Sequence, residues 1–153
     1  METSMTALAQ QLAAIPVFSD LSPEDVSWLA SQMEVAHFAP GEILTVEDSP
    51  ADRMIVILKG EIAGRRERGP GDARTYSASA GRVTGMLPFS RLTHFPLTVR
   101  AMIPVTVAFL HVSHFPEMLE RAPALGSKLV GVMADRIRET TKTDQQREKL
   151  MAL

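Results

Sequence analysis

Hydrophobic positions recur with a helical period at both ends of the chain and with a period near two in the middle. Leu8, Leu12 and Ile15 share one face of a short helix over 5–14, which Pro16 stops. Ser22-Pro23-Glu24-Asp25 then reads as an N-cap, a proline at the first helical position and a capping-box-like acid. The helix it opens carries Val26, Leu29, Ala30 and Met33 on one face. From Glu34 short strands are predicted at Val35–Phe38 and Ile43–Val46, parted by the turn Ala39-Pro40-Gly41-Glu42. Glu47–Asp52 reads as a polar loop. Met54–Leu58 is a near-continuous apolar strand, Lys59-Gly60 a hairpin-type turn, and Glu61–Arg66 the returning strand. Gly69-Pro-Gly-Asp72 marks a hairpin tip before a weaker strand at Arg74–Ser79. Val105–Val112 alternates poorly, as a strand buried on both faces does.

After Ser113 the period returns to helical. Phe115, Met118 and Leu119 form one apolar face before Pro123 interrupts. A long helix follows, with the stripe Leu125, Leu129, Val132, Met133 and Ile137. Short strands with turns every eight to twelve residues, flanked by helices, predict a mainly β barrel or jelly roll.

Composition narrows the function classes. The 153 residues fit one domain with a real core. A net charge of −2 supplies no basic field for nucleic acid. With no cysteine there is no disulfide, no thiolate nucleophile and no cysteine-held zinc. No apolar run approaches the roughly 20 residues of a membrane span, and residues 1–14 lack the basic start of a signal peptide. A soluble cytoplasmic domain without membrane insertion is the expectation.

The stretch with the strongest local signature is 81–101, GRVTGMLPFSRLTHFPLTVRA. Two glycines four apart, a segment with Pro88 and a β-branched run predict strand, close-approach turn, short helix and strand. Such a turn points backbone N–H groups at a common spot where an anion fits.

The order of elements resembles the cyclic nucleotide-binding domain of the catabolite activator superfamily, over roughly residues 12–141. Its landmarks are Phe18-Ser-Asp-Leu21, Pro40-Gly41-Glu42, Asp52–Gly60, Gly81, Gly85, Thr98-Val-Arg-Ala101, and Phe115 with the helix after it. The resemblance implies a double-stranded β-helix (jelly roll), then a hinge helix and a long C-terminal helix. It makes 81–101 a phosphate-binding cassette, with ligand-binding positions Gly85, Met86, Leu87, Pro88, Phe89, Ser90, Arg91 and Thr98. In the family a glutamate follows the glycine and takes the ribose hydroxyl, and an arginine pairs with the cyclic phosphate, a fork-shaped cation for a single negative charge. Here Met86 stands at the glutamate position and Phe95-Pro96-Leu97 where the arginine is expected. Losing each charge-assisted bond costs roughly 2–3 kcal/mol. Cyclic AMP or cyclic GMP is therefore expected to bind weakly or not at all. Arg91 is the one cation inside the cassette; either it reaches the phosphate place from another direction or it lies at the surface. Arg100, in the outgoing strand, reads as structural.

The resemblance also matches Thr140 and Thr141 to hydroxyl residues that touch the purine across a dimer, and makes the stripe Leu125, Leu129, Val132, Met133, Ile137 a homodimer helix; the same stripe would equally pack on the roll. Residues 142–153 read as a helix extension or linker to an output domain. Gln145–Leu153 resembles the lead-in to the dimerisation helix of sensor histidine kinases. The expected role is thus a sensory or regulatory domain, the N-terminal part of a bacterial histidine kinase, relaying ligand or partner binding through its last helix. The alternative is a degenerate scaffold of the same fold that dimerises or docks a partner. Because the sequence ends before a helix-turn-helix module, no direct DNA binding is expected.

No catalytic constellation stands out, so the domain is read as non-enzymatic. His111 and His114, three apart, lack an acidic third ligand and read as structural rather than as a metal site. A metal-dependent cupin-type enzyme would need a His/Glu cluster on the strands, which is missing. Glu61–Arg68 reads as a solvated, mixed-charge edge.

Overall fold

The computed structural model describes residues 5–67 and 75–136. Helix α1 is Met5–Ala13 and α2 is Pro23–Gln32; Ser22 caps α2 by accepting the Asp25 N–H at 3.1 Å. Eight strands follow: β1 Glu34–Phe38, β2 Ile43–Thr45, β3 Arg53–Lys59, β4 Glu61–Arg65, β5 Thr75–Ser79, β6 Val83–Gly85, β7 Thr98–Ala101 and β8 Val105–His111. They form two four-stranded antiparallel sheets, ordered β1-β8-β3-β6 and β2-β7-β4-β5. A 3-10 turn and α3, Phe115–Arg121, lead into a second helix, α4, over 123–136. The architecture is the expected one: mainly β, a jelly roll with flanking helices.

The near-continuous apolar run of β3 has a simple cause: it is central in its sheet, and both faces are covered. Met54 and Val56, with Ala108 and Leu110 of β8, face the helices in one core cluster. Ile55 and Ile57, with Val105 and Val107, face the second sheet in another. The helical cluster contains Leu12, Phe18, Leu29, Phe115, Met118, Leu125 and Leu129, all buried. Full burial of one such side chain contributes roughly 1.5–3 kcal/mol, so α4 is bound to the roll by its own stripe.

Two expected features are corrected. The Lys59-Gly60 turn does not make a hairpin, because β3 and β4 lie in different sheets. Gly60 is a corner: its φ is +95°, and a Cβ there would stand 2.4 Å from the Pro104 carbonyl oxygen, a place only glycine fits. The cassette forms no helix. Phe89 sits at φ +67°, which ends the turn after the single Ser90 N–H to Leu87 carbonyl bond of 3.2 Å.

Candidate functional site

The cassette is built as a strand, a tight turn and an extended return. Gly85, at the end of β6, has φ +76°, and a Cβ there would lie 2.7 Å from the Arg53 carbonyl oxygen and 3.1 Å from Ile55 Cγ1. The glycine therefore serves close strand packing. The Met86 N–H donates to that same Arg53 carbonyl at 2.8 Å, so it is engaged within the fold rather than offered to an anion. Met86 packs against the helical core, and Leu87 and Pro88 are buried. Ser90 Oγ accepts the Leu92 N–H at 3.1 Å, and Arg91 is exposed.

The return is zipped to the loop between β2 and β3. Phe95 N–H donates to Ser49 and Asp48 N–H to Phe95, both at 2.8 Å, and Ala51 N–H donates to Thr93 at 3.0 Å. Phe95, within the segment where the resemblance led us to expect an arginine, is buried. The guanidinium of Arg53 stands 5.6 Å from its ring and 4.8 Å from that of Phe109, while donating to the Leu44 carbonyl and the Asp52 carboxylate at 2.9 Å. A cation thus remains close to Phe95, contributed by β3 and held by two rings, a carbonyl and a carboxylate.

Thr98 is buried and engaged with Glu47, whose N–H it accepts at 3.2 Å and whose Oε1 it donates to at 3.4 Å. Glu47, expected in a polar loop, is in fact 1% exposed. It also accepts the Glu67 N–H at 2.7 Å, and its Oε2 lies 3.8 Å from Arg66 Nε. The described charged residues at the end of β4, Arg65, Arg66 and Glu67, stay exposed, as expected, while Glu67 and Arg66 reach the buried Glu47 from the surface. Glu67 chelates Arg100 at 2.7 and 3.0 Å, and this holds its carboxyl below the ordinary range while raising Arg100. Arg100 also donates to the Gly41 carbonyl at 3.0 Å and so is structural, as its place in the strand suggested.

Opposite Phe89 lies α4. A Cβ built on Gly126 would stand 3.5 Å from Phe89 Cε2 and 2.9 Å from Leu119 Cδ2, so the helix lacks a side chain where cassette and hinge meet. Phe89, Leu119, Pro123, Gly126, Ser127 and Val130 line a shallow groove of about 240 Å³ there. At the far end of α4, Arg136 donates to Thr84 Oγ1 at 3.5 Å and to the Gly85 carbonyl at 3.3 Å. Burial pushes its pKa down; Tyr76 opposes this and Arg82 adds to it. Nothing in the sequence pattern singled out Arg136, Arg53 or Glu47, because only the closed roll brings these distant residues to the cassette.

Of the two readings of the stripe, the described residues show packing on the roll. Leu125 and Leu129 belong to the core, and the half-buried Val132 and Met133 pack against it. Ile137, Thr140, Thr141 and the kinase-like segment 145–153 lie outside the described residues. His111 Nδ1 accepts the Ser113 N–H at 3.1 Å and so caps the 3-10 turn. No helix among the described residues is long and apolar enough to cross a membrane.

Residues 35–122 match the family model of the cyclic nucleotide-binding domain. The HTH-type transcriptional regulator Cmr of Mycobacterium tuberculosis is 29% identical over 121 residues, covering 76% of this chain and 48% of that protein. The chain thus spans about half the length of this curated relative. A cyclic nucleotide-binding domain from Methylobacillus flagellatus superposes with a TM-score of 0.74 at 23% identity, covering 94% of this chain and 83% of that one. The catabolite activator protein of Thermus thermophilus gives 0.72 at 18% identity, covering 87% and 63%. These neighbours overturn the expectation of no direct DNA binding: the curated relative is named as a helix-turn-helix regulator. That expectation rested on where the sequence stops, and the relative is about twice the length of the matched region.

Proposed function

This chain belongs to the cyclic nucleotide-binding domain family, and from that premise we propose that it is the regulatory module of a longer cytoplasmic protein, relaying events at its cassette through the hinge into α4. The observation that carries the reading is the seat of Phe89 against the bare Gly126 position of α4, beside Leu119 of the hinge helix. A shift of the 85–98 segment moves that ring, and the ring bears directly on α4. Two outputs fit such a module. Residues 145–153 favour a histidine kinase; the regulator relative, matched over 121 residues, favours transcriptional control. The longer match carries more weight.

The ligand chemistry departs from the family pattern. Met86 packs into the helical core and buried Phe95 is stacked with Arg53, so neither position supplies the polar anchor that a cyclic nucleotide takes in the family. Two missing charge-assisted contacts, at about 1.5–3 kcal/mol each, correspond to roughly 10²- to 10⁴-fold in affinity. Titration calorimetry with cyclic AMP and cyclic GMP is expected to show no binding in the low-micromolar range; binding there refutes the ligand part of the reading. The relay is tested through Trp28, the only tryptophan, whose ring lies 4.9 Å from the Arg121 guanidinium at the end of α3. Phe89→Gly should alter Trp28 emission, and an unchanged spectrum refutes the relay.

A further inference from the structure

Resting on the reading that the cassette bears on α4, we propose that Met86 and Met133 are a modification site for peroxide: oxidation of their thioethers to sulfoxides loosens α4 from the cassette. The seam between cassette and helix is thereby sensitive to a small two-electron oxidant.

The methionines of the described residues fall into three groups. Met54 and Met118 are sealed in the helical core. Met5 and Met102 are 58% and 56% exposed and belong to neither core cluster. Met33, Met86 and Met133 are half-buried, each packed against the helical core. Met33 stands at the C-terminus of α2. The other two meet at the cassette. Met86 follows Gly85, and Met133 lies three positions before Arg136, on the same face of α4. Arg136 donates to the Gly85 carbonyl at 3.3 Å, so the two methionines flank one hydrogen bond that joins cassette and helix.

The chemistry favours these two. A thioether packs as a soft apolar group, yet its sulfur keeps lone pairs that react with peroxides. A lone pair attacks one oxygen of hydrogen peroxide. The S–O bond forms, the O–O bond breaks, and the transferred oxygen gives its proton to the departing hydroxide, which leaves as water. Sulfur loses two electrons and the peroxide gains them. The product is a polar sulfoxide set against an apolar cluster, which costs free energy wherever its oxygen stays unpaired. The sealed methionines are out of reach of the oxidant, and the exposed ones carry no core packing to lose. Half-burial at the seam combines access with consequence. Met86 occupies the place of the family's glutamate, so the change that removes a nucleotide anchor also puts an oxidisable group there. Methionine sulfoxide reductases return the sulfoxide to the thioether, which makes the change reversible.

The test treats the full chain with hydrogen peroxide and follows peptide mass spectrometry, thermal unfolding and Trp28 emission together. Met5 and Met102 should gain oxygen first, with no change in melting temperature. Oxygen at Met86 and Met133 should then accompany a fall of about 4 °C or more and a change in Trp28 emission. The double variant Met86→Leu/Met133→Leu conserves side-chain volume and so should fold. It keeps Met33 and Trp28, and it should show neither later change. Reductase with dithiothreitol should restore the parent's melting temperature. Met86 and Met133 left unmodified while Met5 and Met102 are fully oxidised overturns the site, as does their oxidation without a fall. An equal fall in the double variant overturns it as well. Trp28 emission separates this outcome from the relay. A fall at unchanged emission keeps the site and removes the relay. A change in emission on Phe89→Gly with no response to peroxide keeps the relay and overturns the site.

Discussion

Replacing Phe89 by glycine and by alanine should reverse the usual order of those two residues. Phe89 is 67% exposed, so about one third of a side chain of roughly 200 Å² is buried against Leu119 and Gly126. At about 25 cal/mol per Å² that contact contributes roughly 1.6 kcal/mol. The backbone works against it, because φ is +67° at a residue with a Cβ, which costs about 1–2 kcal/mol. Phe89→Ala loses the contact and keeps the strain, so it should be destabilised by roughly 1.5 kcal/mol. Phe89→Gly loses the contact and relieves the strain, and should stay within about 0.5 kcal/mol of the parent. Urea unfolding followed by circular dichroism measures both, and the glycine variant should melt about 2–4 °C above the alanine variant. Both remove the ring, so both should shift Trp28 emission alike, which separates coupling from stability. An alanine variant as stable as the glycine variant refutes the argument from backbone strain.

Glycines at positive φ should differ according to what surrounds them. Gly60→Ala places a Cβ 2.4 Å from the Pro104 carbonyl and should cost more than about 3 kcal/mol in urea unfolding, whereas Gly81→Ala, at φ +92° with nothing within 4 Å, should cost only about 1–2 kcal/mol. If α4 is bound to the roll by its stripe, Leu129→Ala should lose about 2–5 kcal/mol and the half-exposed neighbour change Val130→Ala less than about 1 kcal/mol; equal losses speak against that packing. The Arg100 hydrogen bond lowers the Glu67 pKa below its ordinary 4.5, so its stabilising contribution is present above that value and is lost as pH falls through the lower folded value. The acid side of the urea-midpoint profile should therefore flatten in Arg100→Gln, and an unchanged profile contradicts the pairing.

What the sequence determined by itself was local and repetitive. Helix α2 begins where Ser22-Pro23 says, since a cap and a proline act within one turn. The burial of β3 and β8 on both faces follows from their near-continuous apolar runs, and Gly85 marks its own close approach. The family was legible as well, in the order and spacing of landmarks from Phe18 to Phe115. The cassette's inner form was not: the left-handed turn at Phe89 and the zipper to Ser49 arise only when the β2–β3 loop lies alongside. Tertiary structure alone decided that Glu47 is buried, that Gly60 turns between sheets, and that the α4 stripe faces the roll. An amphipathic helix announces an apolar face but not which surface will cover it. Arg136 shows the same limit, for it lies 52 and 51 positions from its hydrogen-bond partners Thr84 and Gly85 on β6. A side chain that acts across the fold leaves no periodic trace in its neighbours, and only the closed roll says what it meets.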